Sequence, residues 1–178
     1  IKYIRQKENL GFVKNVYYVL GKAKGEYFMW IADDDWWEPR YIEALVVALD
    51  KNLQYGVAQS SFKRILPGGE FHSEMFFEGE KNITLDSHFS VYEKSFVNDS
   101  GLNHFIYGLF RRALLYRAVF ERPLTTEQSW DKILVSEFAF ATKFYCVPEI
   151  LRFSEQRRKL PHSTKTHYHP IRYPGDKL

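Results

Sequence analysis

Cysteine is almost absent. Cys146 is the single one in 178 residues, which excludes an internal disulfide framework and a cysteine-based zinc cluster. Its apolar neighbours mark it as a core thiol. Long hydrophobic runs are missing too: no stretch approaches about 18 uncharged apolar residues, so no membrane span is written here. The first residues lack the basic, apolar, small-residue order of a secretory signal, and the reading is a soluble, cytoplasmic chain. Internal repeats and low-complexity tracts are also lacking. What is plentiful is apolar and aromatic side chain, 45% and 17% of residues, which suffices for a packed core and excludes a disordered tail.

Charge is mild overall, +3, but unevenly spread. Seven Lys/Arg from Arg152 onward face only Glu155 and Asp176, so this tail carries +5 and the preceding residues −2. A modestly acidic body with a basic tail suits anionic ligands or membrane headgroups as well as nucleic acid. No RNA-recognition or helix-turn-helix pattern accompanies it, so the expectation is no nucleic-acid partner.

Periodicity gives an alternation of strands and helices. Residues 1–5 alternate as a strand, Leu10, Val13, Val16 and Leu20 recur at helical spacing, and Gly25 stops them. Residues 27–32 form an apolar run of the kind buried on both faces of a parallel sheet. Pro39 opens a helix with Tyr41, Ile42, Leu45, Val46 and Leu49 on its apolar face. Residues 55–65 and 71–77 read as a hairpin about Pro67-Gly68-Gly69, and 78–103 as a long irregular connection. A buried strand is expected over 104–110, a helix to about Phe120, a capping box at Thr125 and Gln128 before a second helix, and a strand over 144–147 closed by Pro148. Fold class is therefore α/β, and from about Ser154 the chain is polar and basic with no periodicity and no clear domain boundary.

Asp33, Asp34 and Asp35 follow the apolar run directly. Three adjacent carboxylates raise one another's pKa and destabilise the fold unless a cation sits among them. Mg²⁺ or Mn²⁺ prefers carboxylate oxygens and shares its remaining positions with phosphates. Ligands of open α/β sheets also bind beyond the carboxyl ends of strands. The bland alternative is a solvated turn in which Asp35 caps the next helix.

The segment from Gly25-Glu26-Tyr27 through the apolar strand and Asp33-Asp34-Asp35 to Pro39 resembles a signature of the family 2 glycosyltransferases of GT-A fold. Glu8-Asn9-Leu10-Gly11 resembles the Asn-x-Gly that precedes it. Tyr107-Gly108-Leu109-Phe110-Arg111-Arg112 is similar to the strand-to-helix segment bordering the family's acceptor pocket. Asp131, then a helix and Val147-Pro148-Glu149, has the spacing of its Glu-Asp motif and "valine-proline-glutamate" strand. The resemblance covers residues 1–153, leaving 154–178 as an irregular basic tail, and implies a mainly parallel, Rossmann-like sheet flanked by helices. It also implies an inverting, metal-dependent transferase that moves a sugar from a nucleoside diphosphate sugar to a saccharide or lipid-linked hydroxyl. Asp34 and Asp35 would hold Mn²⁺ or Mg²⁺, and Asp33, Asn9 and Gly11 would line the donor. Asp131 would be the base with Glu127 as back-up, and Trp37, His104, Tyr107, Gly108 and Arg111 would border the acceptor. Peripheral contact with the inner face of a membrane suits a lipid-linked acceptor.

Two positions depart from the pattern: Ala32 stands where an aspartate is usual, and Trp130 where a glutamate is. They motivate the alternative of a non-catalytic carbohydrate-binding or scaffold domain. In the family, further βα units carrying base contacts precede the run matching residues 1–5, and such units take roughly 30 residues or more. The resemblance thus implies that this stretch lacks N-terminal nucleotide-binding strands and binds nucleotide poorly alone. His162, His167 and His169 in the tail read as surface or as a completing metal ligand.

Overall fold

The computed structural model describes residues 2–32, 35–66, 69–75, 79–81, 102–121 and 130–155. The tail histidines, the capping box at Thr125 and Gln128, Glu127, Asp33 and Asp34 lie outside the described residues.

Val13, Val16 and Leu20 form the buried stripe of α1 (Phe12–Lys22). Gly11, just before it, has φ 73° and ψ 169°, a conformation open in practice only to glycine. Its N–H donates to Asn9 Oδ1 at 2.9 Å, an Asx turn that steers the chain into the helix. After β1 (Tyr27–Phe28) and β2 (Asp35–Trp37), α2 (Tyr41–Lys51) buries Tyr41, Leu45, Ala48 and Leu49. Then come β3 (Tyr55–Ile65), β4 (Phe71–Met75), β5 (Gly79–Lys81), a 3-10 helix (Leu102–Tyr107) and β6 (Leu109–Arg111). Helix α3 (Arg112–Glu121), α4 (Trp130–Ala141) and β7 (Lys143–Glu155) complete the described chain.

These strands form one mixed sheet in the order β1-β6-β3-β7-β2, with β4 added to β3 and β5 to β7. Among the described residues only β3 and β7 pair in parallel. Because side chains alternate across a strand, the sheet feeds two cores. Val57, Phe110, Phe144 and Cys146 pack against α1, α3 and α4. Ala58, Leu109, Val147 and Leu151 pack against α2. Helices thus cover both faces, and no helix of the described residues is long and apolar enough to cross a membrane.

Four expectations need correcting. Residues 2–5 form no strand; Tyr3 is 83% exposed, and no described strand lies beside them to take their backbone hydrogen bonds. The apolar run after Gly25 pairs only through Tyr27–Phe28, antiparallel to β6 at a sheet edge, and Ile31 is exposed rather than buried. Residues 104–110 divide between the 3-10 helix and the short β6, with the Gly108 N–H closing the helix onto Phe105 O at 2.9 Å. The last strand does not stop at Pro148. It continues to Glu155, because the register shifts between Ser60↔Val147 and Ser61↔Ile150, leaving Pro148 and Glu149 out of the ladder in a bulge.

At Gly108 the chain passes close to the β3 backbone. A Cβ there would lie 2.6 Å from Ala58 O and 3.0 Å from both Phe105 O and Val57 Cγ2. Gly108→Ala is therefore expected to lower stability by about 1–3 kcal/mol, seen as an earlier midpoint in urea unfolding. A midpoint equal to the parent's would show that the β3 backbone yields without strain.

Candidate functional site

Strand register brings Asp35 to the carboxyl ends of the parallel pair. Asp35 and Arg64 are both registered against Ser154, one residue before β7 ends and one before β3 ends. Asp35 is 7% exposed and Arg152 2% exposed, with Asp35 Oδ2 3.9 Å from Arg152 Nη1. Two buried ions cost several kcal/mol each in lost hydration, so each makes the other tolerable. The guanidinium also lies over two rings, 4.3 Å from the Phe62 centroid and 5.0 Å from that of Tyr107. Burial holds Arg152 below its ordinary pKa, opposed by the nearby Tyr41 and Asp35.

Three sequence-predicted residues, Tyr107, His104 and Trp37, gather around this pair, with Tyr41 beside them. Tyr41, on the first turn of α2, donates its hydroxyl to Tyr107 O at 3.1 Å. Burial pushes the Tyr41 phenol up to about 12, with Arg152 opposing and Asp35 reinforcing the shift. His104 in the 3-10 helix has Nε2 2.7 Å from Arg64 Nη2 and Nδ1 3.4 Å from Arg152 Nη2. Trp37 faces Arg152 across the β2–β7 ladder and packs with its indole half-buried on the α2 core. Arg152, Arg64 and Tyr41 are the members that function-directed reading of the sequence missed. The available signal was one arginine inside the apolar run Ile150-Leu151-Arg152-Phe153, a charge with no reason to be there unless partnered.

Asp131 is the second residue of α4, half-buried in its first turn, and α4 packs on the 3-10 helix that bears His104. A carboxylate there is favoured by the helix dipole. Trp130, beside it, is a core residue: its ring meets Phe12 edge-on at 5.1 Å and Trp30 at 5.9 Å. The departure from glutamate at this position thus serves packing.

Arg111 stands apart from the acceptor set. Its guanidinium donates to Leu49 O at 2.7 Å and Tyr55 O at 3.0 Å, tying the end of α2 to the start of β3. Nine residues separate Tyr55 from Arg64 along β3, on the order of 30 Å. That distance removes Arg111 from the cluster at the other end of the strand. Gly108 is explained by close packing and Tyr107 by its carbonyl and ring. Asn9 and Gly11 are accounted for locally by the Asx turn.

For a divalent cation, the described residues offer no group of three His, Cys, Asp or Glu side chains. Asp35 is the described member of the acidic run, and Arg152 already neutralises its carboxylate. A second cation would compete with the guanidinium for that carboxylate. Asp33 and Asp34, the other two members of the run, lie outside the described residues.

The pairing makes a measurable claim about stability. Arg152→Met leaves a buried carboxylate without its cation and is expected to cost about 3–5 kcal/mol by chemical denaturation. The double variant Asp35→Leu with Arg152→Met should recover most of that loss. Purely additive losses would show that the two side chains are not coupled.

Residues 1–121 match the sequence pattern described as Glycosyl transferase family 2. Two solved structures of S. aureus TarS residues 1–349 superpose on the chain. The one in complex with UDP-GlcNAc has a TM-score of 0.60 at 18% identity, covering 83% of this chain and 39% of its own. The other has a TM-score of 0.58 at 17% identity, covering 80% and 40%. At such identity the likeness concerns the fold, which is GT-A, and this chain spans about two fifths of those structures. No protein of curated function matches it significantly in sequence. With the match covering over two thirds of the chain, and the mixed sheet carrying its acidic residue at the carboxyl ends of β3 and β7, this chain belongs to glycosyltransferase family 2.

Proposed function

We propose that the chain is part of an inverting, metal-dependent glycosyltransferase that moves a sugar from a nucleoside diphosphate sugar to a hydroxyl of a saccharide or lipid-linked acceptor. The observation that carries this reading is the register of Asp35 with Arg64 and Ser154, which sets the end of the acidic run against the parallel strand ends where α/β sheets take ligands. The UDP-GlcNAc complex of the S. aureus relative supports a sugar nucleotide as donor.

On this reading Asp131 accepts the proton of the acceptor hydroxyl as its oxygen attacks the anomeric carbon and the bond to the nucleoside diphosphate breaks. One displacement inverts the configuration. Glu127 is the second carboxylate able to serve as base. Asp34, with Asp35, would hold Mn²⁺ or Mg²⁺, which when bound neutralises charge on the departing diphosphate. Asp33, Asn9 and Gly11 would bind the donor, and Trp37, His104 and Tyr107 the acceptor. Acceptors carried on lipid would bring the enzyme to the cytoplasmic face of a membrane as a peripheral partner.

Two measurements on the full-length enzyme test this. Asp131→Asn should lower kcat by roughly 10²–10⁴-fold while donor affinity by calorimetry stays within about twofold. Asp34→Ala should abolish Mn²⁺-dependent binding of UDP-sugars; donor binding and turnover equal to the parent's would refute the metal assignment. Glycan binding that needs neither metal nor nucleotide, without donor hydrolysis, would instead identify a scaffold domain.

A further inference from the structure

Helices α1 and α3, on one face of the sheet, hold aromatic rings at the surface. Tyr116 and Phe120, four residues apart on α3, are 40% and 38% exposed, and their rings stack at 4.3 Å. Phe120 meets Tyr17 of α1 edge-on at 5.6 Å, and its Cζ lies 3.6 Å from where a Cβ of Gly21 would stand, so the ring rests against α1. Lys14, Tyr18 and Lys22 follow at four-residue steps along the outer side of α1, and Lys22 Nζ lies 5.5 Å from the Tyr18 centroid. The rings are thus bordered by exposed cations, Lys14, Lys22 and Lys24 on the α1 side and Arg117 on α3.

Charge here is nearly of one sign. Residues 12–25 hold three lysines and no acidic residue. Helices α1 and α3 together carry four cations against Glu121, which Arg117 engages at 3.3 Å. On the other face α2 carries Glu43 and Asp50 against Lys51, and α4, which flanks α3, carries Asp131 and Glu137 against Lys132. The basic surface is therefore confined to α1 and α3.

We propose that this α1–α3 face is the surface by which the protein docks on a bilayer containing anionic lipid. Phosphate headgroups meet the lysines, whose methylene stems follow the rings into the interface. Tyrosine suits that depth, because its ring is apolar and its hydroxyl stays wet. Nucleic acid would meet the same cations, but it favours ring faces open for stacking, whereas Tyr116 and Phe120 each cover one face of the other. For its purpose the surface rests on the reading of a transferase with a lipid-linked acceptor; docking itself is measurable without a sugar nucleotide.

The experiment sediments the full-length protein with vesicles of phosphatidylcholine alone and of equimolar phosphatidylcholine and phosphatidylglycerol. Binding is expected to the anionic vesicles only, and should fall as salt is raised. Lys14→Gln with Lys22→Gln should weaken it by roughly tenfold or more. Tyr116→Ser should weaken it by roughly threefold or more, whereas Lys51→Gln on α2 leaves it unchanged. All these side chains are exposed, so each variant should unfold at the parent's midpoint. Equal binding by the parent and the α1 and α3 variants puts the contact elsewhere and overturns the proposal. So does equal binding to both vesicle types, or tighter binding to single-stranded RNA than to vesicles. A parent that turns over a sugar nucleotide and ignores both vesicle types loses this surface and keeps the transferase reading. One that docks through these residues yet transfers no sugar keeps the surface and defeats that reading.

Discussion

The buried pair of Asp35 and Arg152 joins strands at the outer side of the sheet, and much else is arranged around it. Arg152 sits on β7, directly across the ladder from Trp37 and beside Phe62 of β3. Its charge is enclosed by aromatic faces rather than water, which makes it strongly felt by every ionisable neighbour in that low-dielectric region. Tyr41 is one such neighbour, and its hydrogen bond to Tyr107 O links the start of α2 to the end of the 3-10 helix. One guanidinium therefore coordinates β2, β3, β7, α2 and the 3-10 helix at the end of the sheet where chemistry is expected. Apolar side chains in place of both members of the pair would suit packing, so a buried ion pair here fits a site that needs a fixed positive charge more than it needs stability.

The opposite end of β3 uses an arginine differently. Arg111 spends its donors on backbone carbonyls of Leu49 and Tyr55, with Tyr27 below its plane. Those bonds satisfy a helix C-terminus and a strand start, which is structural work. Two arginines near two ends of one strand thus have separate roles: the short bonds of Arg111 go to carbonyl oxygens, with the exposed Glu26 carboxylate at 3.9 Å, whereas Arg152 meets a buried carboxylate and an imidazole.

How far these features could be read from residues alone follows from what each depends on. Helices α1 and α2 and the β3–β4 hairpin were legible because their burial stripes and turn residues are local signals. The run over 27–32 looked like a central strand because apolarity does not reveal how many neighbours a strand has. The 3-10 helix before Gly108 was hidden because a tight backbone approach to Ala58 is a tertiary fact. Pro148 suggested a strand end, since a bulge is specified by the partner strand's register and not by the proline. Arg152 was counted with a basic tail for the same reason: its carboxylate partner is 117 residues away in sequence. Trp130 reads from sequence as a departure from a usual glutamate, whereas its contacts with Phe12 and Trp30 are a tertiary fact.

The bulge at Pro148 and Glu149 has a further meaning for how such chains can diverge. Thirteen residues of β7 run beside eleven of β3: the bulge takes up two, a smaller shift between Ser61 and Phe62 takes one more, and a shift of opposite sense between Tyr55 and Val57 returns one. Everything beyond it, Arg152 included, takes its side from the number of residues inserted. Deleting one would slip the register and turn Arg152 toward the other face of the sheet. Positions 148 and 149 are thus open to changes of identity but closed to the loss of a single residue.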